Sequence, residues 1–263
     1  MANGCLGGVI MKTCNRCLKV LVFFFACGTS AFSWSDAGPE DVGKSWDSAV
    51  VHVPGKLLST KVDRVQVDKP MPVVLLMHGC NGLQKTESAW AGFLKDKGYI
   101  VVLPDSFARS RPQSCDPRTK RGGMFPGVVK FRHDEVRYAF DRLALLPWVD
   151  QRNIFLMGHS EGGRVVALYG GTGFRGAVIS AWLCNSLRFP ENNGLRLPEN
   201  MAILAIDHER DSWYPDGEGR HCGEYFGQRS GSRQVTLPGS EHDTFEPPAR
   251  QAVEEFLKAN TEQ

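Results

Sequence analysis

Gly158-His159-Ser160-Glu161-Gly162 reads G-x-S-x-G. The apolar run Asn153-Ile154-Phe155-Leu156-Met157 precedes it, and Gly163-Arg164-Val165-Val166-Ala167-Leu168-Tyr169 follows. Strand, sharp turn and helix is the setting in which a serine is presented as a nucleophile. Small residues must flank such a turn, and Gly158, Gly162 and Gly163 supply them. Ser160 would then stand at a helix N-terminus, where free N–H groups favour developing negative charge. A serine hydroxyl still needs a base, and the base needs a group to orient it.

In this arrangement the chain order is nucleophile, acid, base. After Ser160 the histidines are His208, His221 and His242. His242 follows the last strand-like run and precedes the closing helix, where that order places the base. His208 and His221 fall in the loop where the acid is expected. Two aspartates compete for the acid, Asp207 at the strand end and Asp211 four residues later. The short turn before Asp211 favours it, and Asp207 stays open as the alternative. Two backbone amides should bind the oxyanion. One belongs to Glu161, after the serine, and the other to Cys80, in the loop His78-Gly79-Cys80-Asn81-Gly82. His78 reads as a structural residue holding that loop.

The elements that would position these groups alternate between strands and helices. Strand-like runs cover 62–67, 72–77, 99–103, 153–157, 177–182, 201–206 and 233–237, with 62–67 as an edge strand. Helical periodicity covers 87–97, 132–146, 163–169 and 248–259, and 34–60 reads as an irregular approach segment. This pattern predicts an α/β fold with a mostly parallel central sheet covered by helices on both faces. Ligands in such sheets bind beyond the carboxyl ends of the strands. Every candidate named above lies at such an end.

With these residues in place, the chain resembles the α/β-hydrolase superfamily and, within it, the dienelactone-hydrolase-like family. The resemblance runs from about Pro72 to Leu257. It takes in His78-Gly79, Asp134, Trp148-Val149-Asp150, the 158–163 elbow, Asp211 and His242. It implies hydrolysis of an ester, lactone or thioester through an acyl-enzyme, with no metal or cofactor. The dienelactone hydrolases proper use a cysteine nucleophile, and Ser160 departs from that. A broken triad would instead indicate a catalytically silent binding protein on the same fold; here no member is missing.

Between the third strand and the next helix, Phe107 to Lys130 forms a long connection. From Arg109 to Arg132 the chain holds Arg109, Arg111, Arg118, Lys120, Arg121, Lys130 and Arg132. This segment reads either as a solvated basic loop or as a clamp for a substrate carboxylate. Trp182, Trp213 and Tyr214 are candidates for an apolar acyl pocket.

Lys12, Arg16 and Lys19 precede the apolar run 20–26, and Ala31-Phe32-Ser33 resembles a cleavage site. Residues 1–33 therefore read as a signal peptide, with Met11 as an alternative start. The remainder, 34–263, reads as one hydrolase domain, exported to the periplasm or secreted. An uncleaved leader would tether the enzyme, and Cys27 is a candidate for lipidation. The net charge of +2 turns to −1 without the leader, so the chain carries no nucleic-acid signature. Four cysteines remain, Cys80, Cys115, Cys184 and Cys222, an even number for an oxidising compartment. Cys80 and Cys115 lie in loops after consecutive strands, as do Cys184 and Cys222. The expected pairs are Cys80–Cys115 and Cys184–Cys222.

Overall fold

Buried strands need apolar side chains on both faces, and Met71–Met77 supplies them without interruption. In the computed structural model, which describes residues 39–185, 190–214 and 221–263, this strand is β2, near the middle of a seven-stranded sheet. The others are β1 (Val50–His52), β3 (Ile100–Leu103), β6 (Val149–His159), β7 (Gly176–Ser180), β8 (Ala202–His208) and β9 (Arg233–Leu237). Their order is β1-β3-β2-β6-β7-β8-β9, and all pairs are parallel except β1 with β3. Two further short strands, β4 (Cys115–Asp116) and β5 (Arg121–Gly122), form a separate hairpin. The described residues belong to one compact unit, Ala37–Gln263. The expected leader lies outside the described residues.

Alternating side chains of β2 enter two cores. Val73, Leu75 and Met77 join one cluster, with Val136, Leu143 and Val165. Val74 and Leu76 join the other, with Trp90, Leu94, Val253 and Phe256. Helices α2 (Lys85–Asp96) and α5 (Pro247–Asn260) therefore cover one face. Helices α1 (Pro39–Asp47), α3 (Val128–Leu143) and α4 (Glu161–Ala167) cover the other. Each buried Leu, Ile, Val or Phe contributes roughly 1.5–3 kcal/mol relative to exposure.

Helix ends follow local chemistry. Gln84 and Glu87 form a capping box at the start of α2. Pro247 and Pro248 occupy the first positions of α5, where a missing N–H costs nothing.

Two expectations fail near the N-terminal side. Residues 62–67 are not an edge strand: Val62–Arg64 is a single 3₁₀ turn. Val62, Val65 and Val67 pack on the core from outside without a ladder, and the edge position belongs to β1. Residues 34–60 are likewise not wholly irregular, because they contain α1 and β1. Val42 and Trp46, one turn apart, are the buried face of α1.

The elbow shows the tightest packing. A Cβ on Gly162 would lie 2.0 Å from the Met77 carbonyl oxygen, and one on Gly158 would lie 2.2 Å from that of Gly162. By contrast, a Cβ on Gly92, inside α2, meets nothing within 4 Å. Gly162→Ala should therefore destabilise the fold by about 3 kcal/mol or more. Gly92→Ala should stabilise it by roughly 0.5–1 kcal/mol. Urea unfolding of the two variants checks this, and equal midpoints would contradict it.

Candidate active site

Ser160 sits between β6 and α4 with φ 56° and ψ −118°, a region L-residues seldom occupy. Such a conformation costs of order 1–3 kcal/mol. The Ser160 amide donates to the Ser180 carbonyl on β7 at 2.8 Å, which anchors the turn to the sheet. The strain aims Oγ outward at the carboxyl end of the sheet.

Asp211 and His242 meet because their loops continue the pairing of β8 with β9. The amides of Glu209, Arg210 and Ser212 donate to the carbonyls of Leu237, Gly239 and Ser240 at 3.0–3.1 Å. His242 Nδ1–H donates to Asp211 Oδ2 at 2.6 Å, and Ser160 Oγ–H donates to His242 Nε2 at 2.7 Å. Asp211 is buried, and its Oδ1 accepts from the Trp213 amide at 2.9 Å. Thr244 holds the far side of the loop. It is fully buried, its hydroxyl lies 2.7 Å from Ser180 Oγ, and Ser180 Oγ lies 3.1 Å from His159 Nδ1.

Asp207 faces elsewhere. His221 Nδ1–H donates to Asp207 Oδ2 at 2.7 Å, and Gln234 Nε2 donates to the same oxygen at 3.0 Å. Burial pushes the Asp207 carboxyl up, against the opposing pull of His221. The two aspartates thus serve two different histidines.

The loop after β2 is braced by a carboxylate that sequence reading passed over. Glu87 is buried; its Oε1 accepts from the Gly79 amide and its Oε2 from the Gln84 amide, both at 2.9 Å. The spacing Gln84-x-x-Glu87 was the available signal, since it is a capping pattern. With the Gly79 amide engaged, the next amide in the loop is that of Cys80. Cys80 is bonded to Cys115, and Cys184 to Cys222. Loops of this length contribute roughly 3–4 kcal/mol each through the unfolded chain. His78 is buried beneath the loop. Its Nδ1–H donates to the Gly79 carbonyl at 2.6 Å, and its Nε2 accepts from the Ser106 amide at 3.1 Å.

The basic segment divides in two, so neither of its expected readings holds for the whole. Arg118 is open to solvent, and Lys120, Arg121 and Lys130 are exposed. Arg109, Arg111 and Arg132 turn inward and form ion pairs with Asp41, Glu135 and Glu161. They do not line the cavity over Ser160.

That cavity holds about 190 Å³, and Gly79, Cys80, Pro117, His159 and Trp213 wall it around Ser160 and His242. Trp213 lies 5.2 Å from the His242 ring at 30°. Trp182 is buried, against Tyr214, and is not part of the wall. Among the described residues, one group has metal-ligating donors gathered together, His208, Glu241 and Glu246. Its His208 Nε2 already faces Glu246 Oε1 at 3.1 Å.

A family model described as the dienelactone hydrolase family matches residues 61–246, more than half of the chain. The chain belongs to the dienelactone hydrolase family. That family and fold are those of ester-hydrolysing enzymes. Among solved structures, Est1E from Butyrivibrio proteoclasticus is 15% identical with a TM-score of 0.55, covering 81% of this chain and 93% of its own. A phospholipase/carboxylesterase from Dyadobacter fermentans is 14% identical with a TM-score of 0.53, covering 81% and 96%. A putative dienelactone hydrolase from Klebsiella pneumoniae subsp. pneumoniae is 15% identical with a TM-score of 0.50, covering 77% and 90%. At these identities the likeness is one of fold: the α/β-hydrolase fold. No curated protein matches this chain in sequence.

Two buried imidazoles make the site sensitive to acid. Burial holds His78 well below the usual histidine range, helped by the Arg132 charge. Burial does the same to His159, helped by the nearby His242. The fold therefore favours their neutral forms, while the unfolded chain takes up protons near pH 6.5. Their contribution is complete above about pH 6.5 and is lost as pH falls below it, by up to about 1.4 kcal/mol per pH unit for each group. Thermal unfolding midpoints should be level from pH 7 to 8 and drop below 6.5. His159→Asn should show a shallower acid slope, and identical slopes would refute this origin.

Proposed function

We propose that this member of the dienelactone hydrolase family is an exported serine hydrolase that cleaves a small ester, lactone or thioester through an acyl-enzyme on Ser160. The observation that carries the reading is the continuous hydrogen-bonded chain from Ser160 through His242 to Asp211, at 2.7 and 2.6 Å, opening into a cavity. Asp211 holds the imidazole with Nε2 free to accept a proton. Ser160 Oγ attacks the carbonyl carbon as its proton passes to His242. The amides of Cys80 and Glu161 stabilise the oxyanion. The intermediate collapses and the C–O or C–S bond breaks, with His242 returning the proton to the leaving alcohol or thiol. Water then attacks the acyl-enzyme, losing its proton to His242; the acyl–Oγ bond breaks as His242 returns that proton to Ser160, and the acid departs.

Two disulfides support export, since such bonds persist in oxidising compartments, and the leader-like residues 1–33 agree with it. No helix among the described residues is long and apolar enough to cross a membrane. A small acyl group fits this reading, since the cavity, which opens to solvent, falls below the roughly 300–1,000 Å³ of pockets for drug-sized ligands.

Ser160→Ala should abolish both ester turnover and labelling by a fluorophosphonate, with the fold retained. Asp211→Asn should lower kcat by roughly 10⁴, because a misoriented imidazole is a large loss. Asp207→Asn should cost far less, since its partner is His221. Turnover of p-nitrophenyl acetate measures all three, and the reverse ranking of the aspartates would reassign the acid. In the wild-type enzyme, kcat/KM for p-nitrophenyl acetate or butyrate should exceed that for the octanoate by about tenfold or more. A preference for the octanoate would refute the small-acyl reading.

A further inference from the structure

Arg132 is the most enclosed cation among the described residues, and it touches both sides of the site. It is 0% exposed. Its Nη1 donates to the His78 carbonyl and lies 3.3 Å from Glu161 Oε1. His78 leads into the loop that carries Cys80, and Glu161 directly follows the nucleophile. A single guanidinium nitrogen thus spans the two backbone segments whose amides face the reacting carbonyl in the mechanism above.

Arg111 completes the grip. Its Nη2 donates to Glu161 Oε1 at 3.1 Å and to Ser114 Oγ at 2.6 Å, and its Nη1 donates to Ser106 Oγ at 3.2 Å. Ser114 precedes Cys115, whose disulfide returns to Cys80. Ser106 Oγ–H donates to Glu135 Oε1 at 2.7 Å, and its amide donates to His78. Arg109 joins Glu135 to Asp41. Three arginines and three carboxylates make up the inner part of this network, and the exposed Lys44 also pairs with Asp41.

We propose that Arg132, assisted by Arg111, is a positioning residue that sets the separation and aim of the two oxyanion-binding amides by clamping Glu161 to the His78–Cys80 loop. The proposal rests on the Ser160 mechanism stated above. The physical need is twofold. Oxyanion stabilisation depends on donors held about 2.7–3.1 Å from the position that the charge will occupy, so small displacements of either amide matter. The Glu161 carboxylate would also repel that charge if it were free, and two guanidinium groups neutralise it. Neither arginine has to touch substrate.

The test compares Arg132→Met, Arg132→Lys and Arg111→Gln with the wild-type enzyme, using p-nitrophenyl acetate and a trifluoromethyl ketone. The ketone adds to the serine to form a tetrahedral oxyanion, so its affinity reports the oxyanion site. Arg132→Met should lower kcat about 10- to 100-fold with KM within about threefold, because misplacement of this kind acts on the transition state. Ketone affinity should fall by a similar factor, and Arg132→Lys should recover part of both. A purely structural arginine would lower the melting midpoint and leave kcat per folded molecule and ketone affinity unchanged. If Arg132→Met does not fold, Arg111→Gln decides, with an expected loss of about tenfold in kcat and in ketone affinity. Folded variants with kcat and ketone affinity within twofold of wild type would overturn the proposal. Fluorophosphonate labelling of wild-type Ser160 is scored separately: absence of labelling there would remove the nucleophile itself, whatever the arginine variants do.

Discussion

Backbone meets backbone where β2 and β6 end and α4 begins, with no space for side chains. Gly162 lies so close to the Met77 carbonyl that a single methyl group would collide with it. This contact brings the end of β2, the end of β6 and the start of α4 to one point. The loop after β2 and the first amide of α4 can then share a ligand. The positive φ of Ser160 is a consequence of the same turn. The strain is sustained because the sheet on both sides, through Ser180 and Met77, leaves the backbone no alternative path.

Around that point the molecule buries several charged groups, and it pairs them with one another or with backbone amides. Glu87 is satisfied by two amides. Arg109, Arg111 and Arg132 are matched by Asp41, Glu135 and Glu161. A buried ion pair gains little net stability over an apolar replacement, whereas a broken one is costly. Such networks therefore act as specifications of geometry more than as sources of stability. Here the specified geometry is the approach of the loop after β2 to the start of α4.

The strands β2, β3 and β6 to β9, the helices α2 to α5 and the elbow were legible because each depends on local pattern. β2, β3 and β9 differ from their sequence reading by no more than a residue at either end. Ser160 and His242 were nameable from chain order, Asp211 was favoured over Asp207 by the short turn before it, and the structure brings Ser160, His242 and Asp211 into contact. The contact of Asp211 with His242 depends on the ribbon of hydrogen bonds between 209–212 and 237–240, which no spacing encodes. The reading failed where burial decides. α1 is short and contains Gly43, and β1 has only three residues, so neither carries a clear period. The valines of 62–67 alternate as in a strand, yet they pack on the core through a 3₁₀ turn. The arginines of 109–132 look alike in sequence, and only their tertiary partners separate Arg118 in solvent from Arg132 in the interior.

The hairpin of β4 and β5 illustrates how such a site can diversify. Its first strand begins at Cys115, which is anchored to Cys80. Its turn projects away, with Lys120 in a left-handed conformation and Arg118 in solvent, and Pro117 contributes to the cavity wall. The covalent tether holds the base of this turn at the cavity rim. Residues 118–120 can change in length and composition while the contacts among Ser160, His242 and Asp211 and the β2 loop stay where they are. The rim of the cavity is therefore a replaceable part, set apart from the packed backbone beneath it.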